Sequence, residues 1–353
     1  MILLQELQVE SSRNENESHN WFILITTQSL QQLMRPIQFR RFVVMALLLP
    51  TAVISCSTPP APPSAQESGS SAVTQQPVLK VMTTFLPMYL FTKAVAGDVA
   101  QVEILIQPGT EVHDYQSTPE NAKALAQADV LVKNGLGLES FLDQTLKSVE
   151  NPQLKVIDAS TGMTPLTEET TPIVSLAPTD DHKHHDGNPH IWLDPALAIQ
   201  QVTAIRDGLI TADPAHRSTY QANAAAYIEK LQQLDAKFKR SLQPFRDRTF
   251  VTFHDAFPYL AQRYQLKQVA IVEIPEDQLA PSDIQQVITT VQQFKVKAIL
   301  SEPGVDNKLV TTLAKDLNLQ VYPLDSLEAG DLEPQYYITA MEKNLSTLEQ
   351  AFK

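Results

Sequence analysis

Four side chains stand where metal chemistry would want them: His113, His190, His254 and Asp325. His113 lies in Pro108-Gly109-Thr110-Glu111-Val112-His113-Asp114-Tyr115, just after a predicted strand. His190 lies in Asn188-Pro189-His190-Ile191-Trp192-Leu193-Asp194-Pro195. There the Asp-Pro pair reads as a helix cap and fixes the histidine immediately ahead of a helix. His254, in Thr252-Phe253-His254-Asp255-Ala256-Phe257, occupies a strand-to-helix turn, and Asp325 closes Tyr322-Pro323-Leu324-Asp325 after another strand. Ligand groups in open α/β sheets gather at such strand ends. Taken singly, each residue reads as a surface or cap position. Taken together, three imidazoles and one carboxylate can close a tetrahedral shell, which suits Zn²⁺ with metal–nitrogen distances of roughly 2.0–2.1 Å. With two donors from each half of the chain, the ion itself would cross-link the halves.

The remaining histidines are less informative. His19 lies in an N-terminal stretch outside the fold, and His216 follows Asp-Pro-Ala at a helix start, where it reads as solvated. His182, His184 and His185 form an acidic, His-rich tract (Asp180-Asp181-His182-Lys183-His184-His185-Asp186) whose composition reads as metal-binding. A loop that must be ordered to bind holds metal weakly, so the tract is expected to collect metal at the mouth of the cleft. The single cysteine, Cys56, excludes an intramolecular disulfide and a thiolate zinc cluster. The net charge of −13 makes the chain a poor partner for a phosphate backbone, and nucleic-acid binding is not expected. Neither HExxH nor G-x-S-x-G is present, which argues against a zinc hydrolase or an α/β-hydrolase; no enzyme activity is expected.

The elements that must position these residues start late in the chain. Phe42–Ile54 is an apolar run of 13 residues, short of the about 20 needed to span a bilayer. With Arg35, Arg40 and Arg41 before it, the run reads as the core of a secretory signal. It ends in Val53-Ile54-Ser55-Cys56, which resembles a bacterial lipobox with Cys56 as the lipidated residue. Met34 makes an attractive start, 22 residues ahead of the cysteine, leaving residues 1–33 as an upstream extension. Residues 57–77 are rich in Pro, Ser, Gln and Ala and read as a tether.

From Val78 onward, short β-branched runs alternate with helical segments, the mark of βαβ units and a parallel sheet. Strands are expected at 78–84, 102–106, 130–132 and 156–157, with helices at 86–96, 119–128 and 138–149. A second series places strands at 249–253, 268–272, 298–301 and 320–322, and helices at 256–264, 281–294, 307–317 and 334–351. Between them, Tyr220, Ala224, Tyr227, Leu231, Leu234, Phe238 and Leu242 recur every three or four residues and share one helix face. The expected fold is therefore α/β: two lobes, each a mostly parallel sheet flanked by helices. One long rigid helix (214–242) joins them, with the metal site in the interlobe cleft. The lobes would span 78–213 and 243–353.

At this level the chain resembles the metal-binding solute receptors of bacterial ABC importers, the zinc/manganese group that includes lipoprotein adhesins. The marks, in order, are His113-Asp114-Tyr115 with Thr118-Pro119, Asn134-Gly135-Leu136-Gly137-Leu138-Glu139, Asn188 to Pro195, Phe253 to Phe257, Ser301-Glu302-Pro303 and Leu324-Asp325. The resemblance implies metal ligands at His113, His190, His254 and Asp325. Histidine at the third position resembles the zinc members, whereas manganese members carry glutamate there; imidazole-rich sites suit zinc. The His tract is short for a zinc member, and the disulfide of some members is absent. Glu111 could replace Asp325 if that residue points away. The resemblance further implies an exported, lipid-anchored monomer in the periplasm or at the outer face of the membrane, handing Zn²⁺ to a permease and its ATPase. A manganese or iron receptor and a surface adhesion lipoprotein are the alternatives.

Overall fold

The computed structural model describes residues 78–167, 187–272, 281–303 and 308–353. Cys56, the tether and the tract containing His182, His184 and His185 lie outside the described residues. Among the described residues, no helix is long and apolar enough to cross a membrane.

The first sheet contains β1 (Leu79–Thr83), β2 (Ala100–Ile104), β3 (Val130–Lys133) and β4 (Lys155–Asp158), all parallel, in the order β2-β1-β3-β4. The second contains β5 (Thr249–His254), β6 (Lys267–Val272), β7 (Ala298–Ser301) and β8 (Gln320–Pro323) and repeats that order as β6-β5-β7-β8. In both, the first strand is central and the chain reverses direction across it. The crevice at the strand ends beside β1/β3 and β5/β7 is thus a topological switch point, where such folds bind ligands. Of the central strands, β5 is buried along nearly its whole length and β1 over its last three residues, as expected of parallel strands covered on both faces.

Helices α1 (Leu86–Ala96), α2 (Pro119–Gln127) and α3 (Leu142–Ser148) connect the first sheet, and α4 (Pro195–Ala212) packs on it. The joining helix α5 (Arg217–Leu242) buries all seven residues of its expected apolar face. At 1.5 Å per residue it runs about 39 Å. It contacts α4, α1 and the last helix α9 (Gln335–Ala351). One apolar core runs from the first sheet through α5 to α9. A second lies between β5, β6, β7 and the helices α7 (Pro281–Phe294) and α8 (Lys308–Asp316). Helix α6 (Pro258–Arg263) follows β5 directly.

Most boundaries move by a residue or two, β2 among them (100–104 against an expected 102–106), and three differences have a plain local cause. The segment 137–141 is a turn rather than the start of α3, because Gly135, Leu136 and Gly137 all take positive φ and cannot enter a helix. Residues 214–216 form a 3₁₀ turn, so α5 starts at Arg217; Asp213 holds that corner by accepting from Tyr220 Oη at 2.8 Å. Helix α6 starts at Pro258, not Ala256, with proline in its first turn.

Candidate metal centre

His113 sits on the long connection after β2. Glu111 Oε1 accepts from the Val112 and His113 amides at 3.0 and 3.1 Å, curling the loop around its own side chain. Just downstream, Thr118 and Asn121 form a capping box at the start of α2, and Tyr115 Oη donates to Asn121 Oδ1 at 2.9 Å. The His113-Asp114-Tyr115…Thr118-Pro119 pattern therefore anchors a ligand loop to a helix end.

His190 is supported from below by the Asn134–Glu139 turn. The buried Glu139 carboxylate accepts from the Asn134 and Gly135 amides at 2.7 and 3.0 Å and from Thr84 Oγ1 at 2.9 Å. Burial pushes this carboxyl up, against the pull of those donors and Lys133. Asn134 Nδ2 in turn donates to Pro189 O at 3.0 Å, and Gln201 Nε2 donates to Asn134 Oδ1 at 2.9 Å. Gly135, at φ +90°, has no room for a Cβ, which would strike the side chains of Asp158 and Ser160. Beyond His190, Trp192 is fully buried and edge-on to Phe85. Its indole N–H donates to Ser326 O at 2.8 Å, joining this loop to the second lobe beside Asp325.

His254 ends β5 and is fully buried. Its partner follows from strand register: Thr252 pairs with Leu300 across β5 and β7, so two residues further on His254 faces Glu302. The His254 Nδ1–Glu302 Oε1 separation is 3.3 Å, an ion-pair contact without hydrogen-bond geometry. His254 Nε2 has no hydrogen-bond partner among the described residues. Burial disfavours charge on this ring, but Glu302, Glu328 and Asp255 outweigh it and push the imidazole up to about 9.

The ligand atoms of His113, His190 and His254 lie within 4.8 Å of one another. His113 Nε2 and His190 Nε2 are 3.2 Å apart. A tetrahedral ion with metal–nitrogen bonds near 2.05 Å needs nitrogens about 3.3 Å apart, so this pair already spans one edge of such a shell. Two imidazole nitrogens at that distance must share a proton, and a cation replaces it. The unpartnered, buried Nε2 of His254 is the further donor such a cation would satisfy.

Asp325 stands outside this trio. Its carboxylate accepts from the Leu327 amide at 2.8 Å and from Tyr336 Oη at 3.0 Å, and burial pushes its pKa up. A second group of possible ligand atoms, Glu111, His113 and Glu328, shares His113 and is only half-buried. Glu302 and Glu328 were not singled out by residue type and spacing. Glu302 belongs to the Ser301-Glu302-Pro303 mark of the resemblance, but its place behind His254 becomes visible only once β5 and β7 are known to be neighbours, and Glu328 only once the loop after β8 is placed against the first lobe, where Gly109 N donates to Glu328 O at 3.0 Å.

The chain is similar to known proteins named for zinc and iron binding. The zinc-binding lipoprotein AdcA of Streptococcus pneumoniae is 36% identical over 277 residues, 77% of this chain but 55% of that protein. The iron-binding protein YfeA of Yersinia pestis is 33% identical over 279 residues, covering 77% of this chain and 86% of its own length. The crystal structure of the Zn(II)-bound ZnuA-like domain of S. pneumoniae AdcA superposes with a TM-score of 0.65 at 35% identity, covering 78% of this chain and 98% of that domain. The chain thus spans about half the length of AdcA and nearly all of its ZnuA-like domain. A family profile matches residues 81–351, and by that match the chain belongs to the ZnuA family, zinc-uptake complex component A, periplasmic.

Proposed function

We propose that this protein is the extracytoplasmic zinc receptor of a metal ABC importer, taking Zn²⁺ as cargo between its two lobes and passing it to a permease driven by an ATPase. The observation that carries this reading is the imidazole trio, His190 and His254 buried and His113 half-buried, with His113 Nε2 and His190 Nε2 already 3.2 Å apart and His254 Nε2 unpartnered. Three imidazoles favour zinc over manganese, which prefers oxygen donors. In this reading Asp325 supplies the carboxylate that completes the shell, moving off Tyr336, with Glu111 as the substitute at the cleft mouth. Glu302 orients His254, in the manner of a carboxylate behind a metal-bound histidine. The His182, His184 and His185 tract collects metal, and Cys56 carries the lipid that holds the receptor at the membrane as a monomer. Family membership and a closed donor set argue for transport rather than catalysis, since a catalytic zinc keeps an open position.

The test is a competitive titration of residues 78–353 with Zn²⁺, Mn²⁺ and Fe²⁺. One zinc per chain is expected, bound more tightly than either competitor, and lost in His190→Ala and His254→Ala. Binding unaffected by those substitutions, or a preference for manganese or iron, would overturn the zinc reading.

A further inference from the structure

Asn188 has every polar atom engaged, and the set spans both ligand-bearing loops. Its Oδ1 accepts from the His190 amide at 3.0 Å and stands 2.9 Å from His190 Nδ1. Its Nδ2 donates to Asp255 O at 2.8 Å and to Asp255 Oδ2 at 3.1 Å, on the residue that follows His254. Its amide donates to Leu166 O at 2.9 Å, and its carbonyl accepts from Tyr259 Oη of α6 at 2.6 Å. Tyr259 Oη also accepts from the Leu166 amide at 3.0 Å. Asn188 and Asp255 are both buried.

The amide can be oriented in only one way. Turning it over would aim its N–H₂ group at the His190 amide N–H and its oxygen at the Asp255 carbonyl and carboxylate. With Oδ1 facing His190, the ring must carry its proton on Nδ1 to donate there. Nε2, the nitrogen beside His113, is then left with a bare lone pair. The same side chain ties that ring to the turn bearing His254 in the other lobe.

We propose that Asn188 is a positioning residue for metal capture: one buried amide selects the ligating nitrogen of His190 and straps the His190 loop to the His254 turn. Ligand orientation and lobe apposition are therefore a single arrangement rather than two. This rests on the zinc reading above for its metal readout, but its first test needs no metal.

In the metal-free full chain, long-range ¹H–¹⁵N correlation should show His190 protonated at Nδ1 and not at Nε2; the opposite tautomer would overturn the proposal. For the strap, Asn188→Asp keeps an acceptor for His190 but sets a carboxylate against Asp255, and zinc release to a chelator should quicken at least tenfold. Adding Asp255→Asn restores a donor–acceptor pair between the two side chains but leaves the residue-255 carbonyl facing the carboxylate, so release should slow again by at least about threefold, part of the way back to wild type. Wild-type release from Asn188→Asp, or no rescue in a double variant that melts like wild type, would overturn the strap. If Asn188→Asp does not fold, the tautomer measurement and the single Asp255→Ala variant, which removes the Oδ2 acceptor and is expected to quicken release, still decide it. Failure of the wild-type chain to bind zinc would instead sink the zinc reading and leave the tautomer result standing.

Discussion

Glu302→Gln should change how zinc affinity depends on pH. In the metal-free protein, Glu302, Glu328 and Asp255 hold the His254 imidazole at about 9. A zinc ion needs the neutral ring, so capture must expel that proton. At pH 7, two pH units below about 9, about 1% of the rings are neutral. Competition from the proton then weakens apparent affinity about 100-fold, or roughly 2.7 kcal/mol. Apparent affinity should therefore rise about tenfold per pH unit from 7 to 9 and flatten above. Replacing Glu302 with Gln removes the nearest charge, Oε1 at 3.3 Å from Nδ1, and leaves only Glu328 and Asp255 to oppose burial, so the ring falls below about 9. The variant's curve should flatten at a lower pH than the wild-type curve. At pH 9 it should also bind zinc about 10–100-fold more weakly than wild type, having lost the carboxylate behind its ligand. Competition against a chelator of known protonation behaviour measures both curves. Calorimetry in two buffers of different ionisation enthalpy should find about one proton released per zinc from this ring at pH 7.5. A wild-type curve flat between pH 7 and 9, or one that Glu302→Gln leaves unchanged, would refute the reasoning.

The same charge pair has a consequence for stability without metal. Because the folded value of about 9 lies above the ordinary 6.5, the stability His254 contributes is full below about pH 6.5 and is lost as pH climbs through about 9, which urea unfolding of the metal-free chain should show. Asp194 caps α4 by accepting from the Ala196 amide at 2.8 Å, and burial, outweighing that bond and Arg263, pushes it up to about 6. Its folded value also exceeds the ordinary 3.8, so wild type should gain stability from this group as pH falls from about 6 to 4, and Asp194→Asn, which keeps the cap acceptor, should lack that gain; equal urea midpoint shifts in the two proteins would contradict it. Trp192→Ala removes a fully buried indole and its bond to Ser326 O, and should cost about 3–5 kcal/mol in denaturant unfolding. Gly135→Ala should lower the melting temperature and weaken zinc binding together, since the clash with Asp158 and Ser160 displaces the turn that supports Pro189; an unchanged melt would show that the turn yields freely.

Much of the fold was legible because its signals are local. Buried parallel strands read as short apolar β-branched runs, and the face of α5 reads as a spacing of three and four residues; neither depends on what lies across the core. Boundaries failed where backbone conformation overrode propensity. Leu138 and Glu139 look helical, yet positive φ at Gly135, Leu136 and Gly137 makes them the arch of a turn whose carboxylate faces inward.

Residue type and places after strands or before a helix nominated His113, His190, His254 and Asp325 only as a set, since each taken singly reads as a surface or cap position. The sequence could not say that Glu302 stands behind His254, since that follows from β5 lying beside β7 in a particular register. Nor could it say that Asp325 is turned toward Leu327 and Tyr336, or that a single asparagine reaches both lobes. Chain chemistry determines which donors are available and on which element each one rides. Strand order and interlobe packing determine which donors meet and which nitrogen carries the proton, because hydrogen bonds and ion pairs act over about 3 Å while the residues concerned are scores of positions apart in the chain.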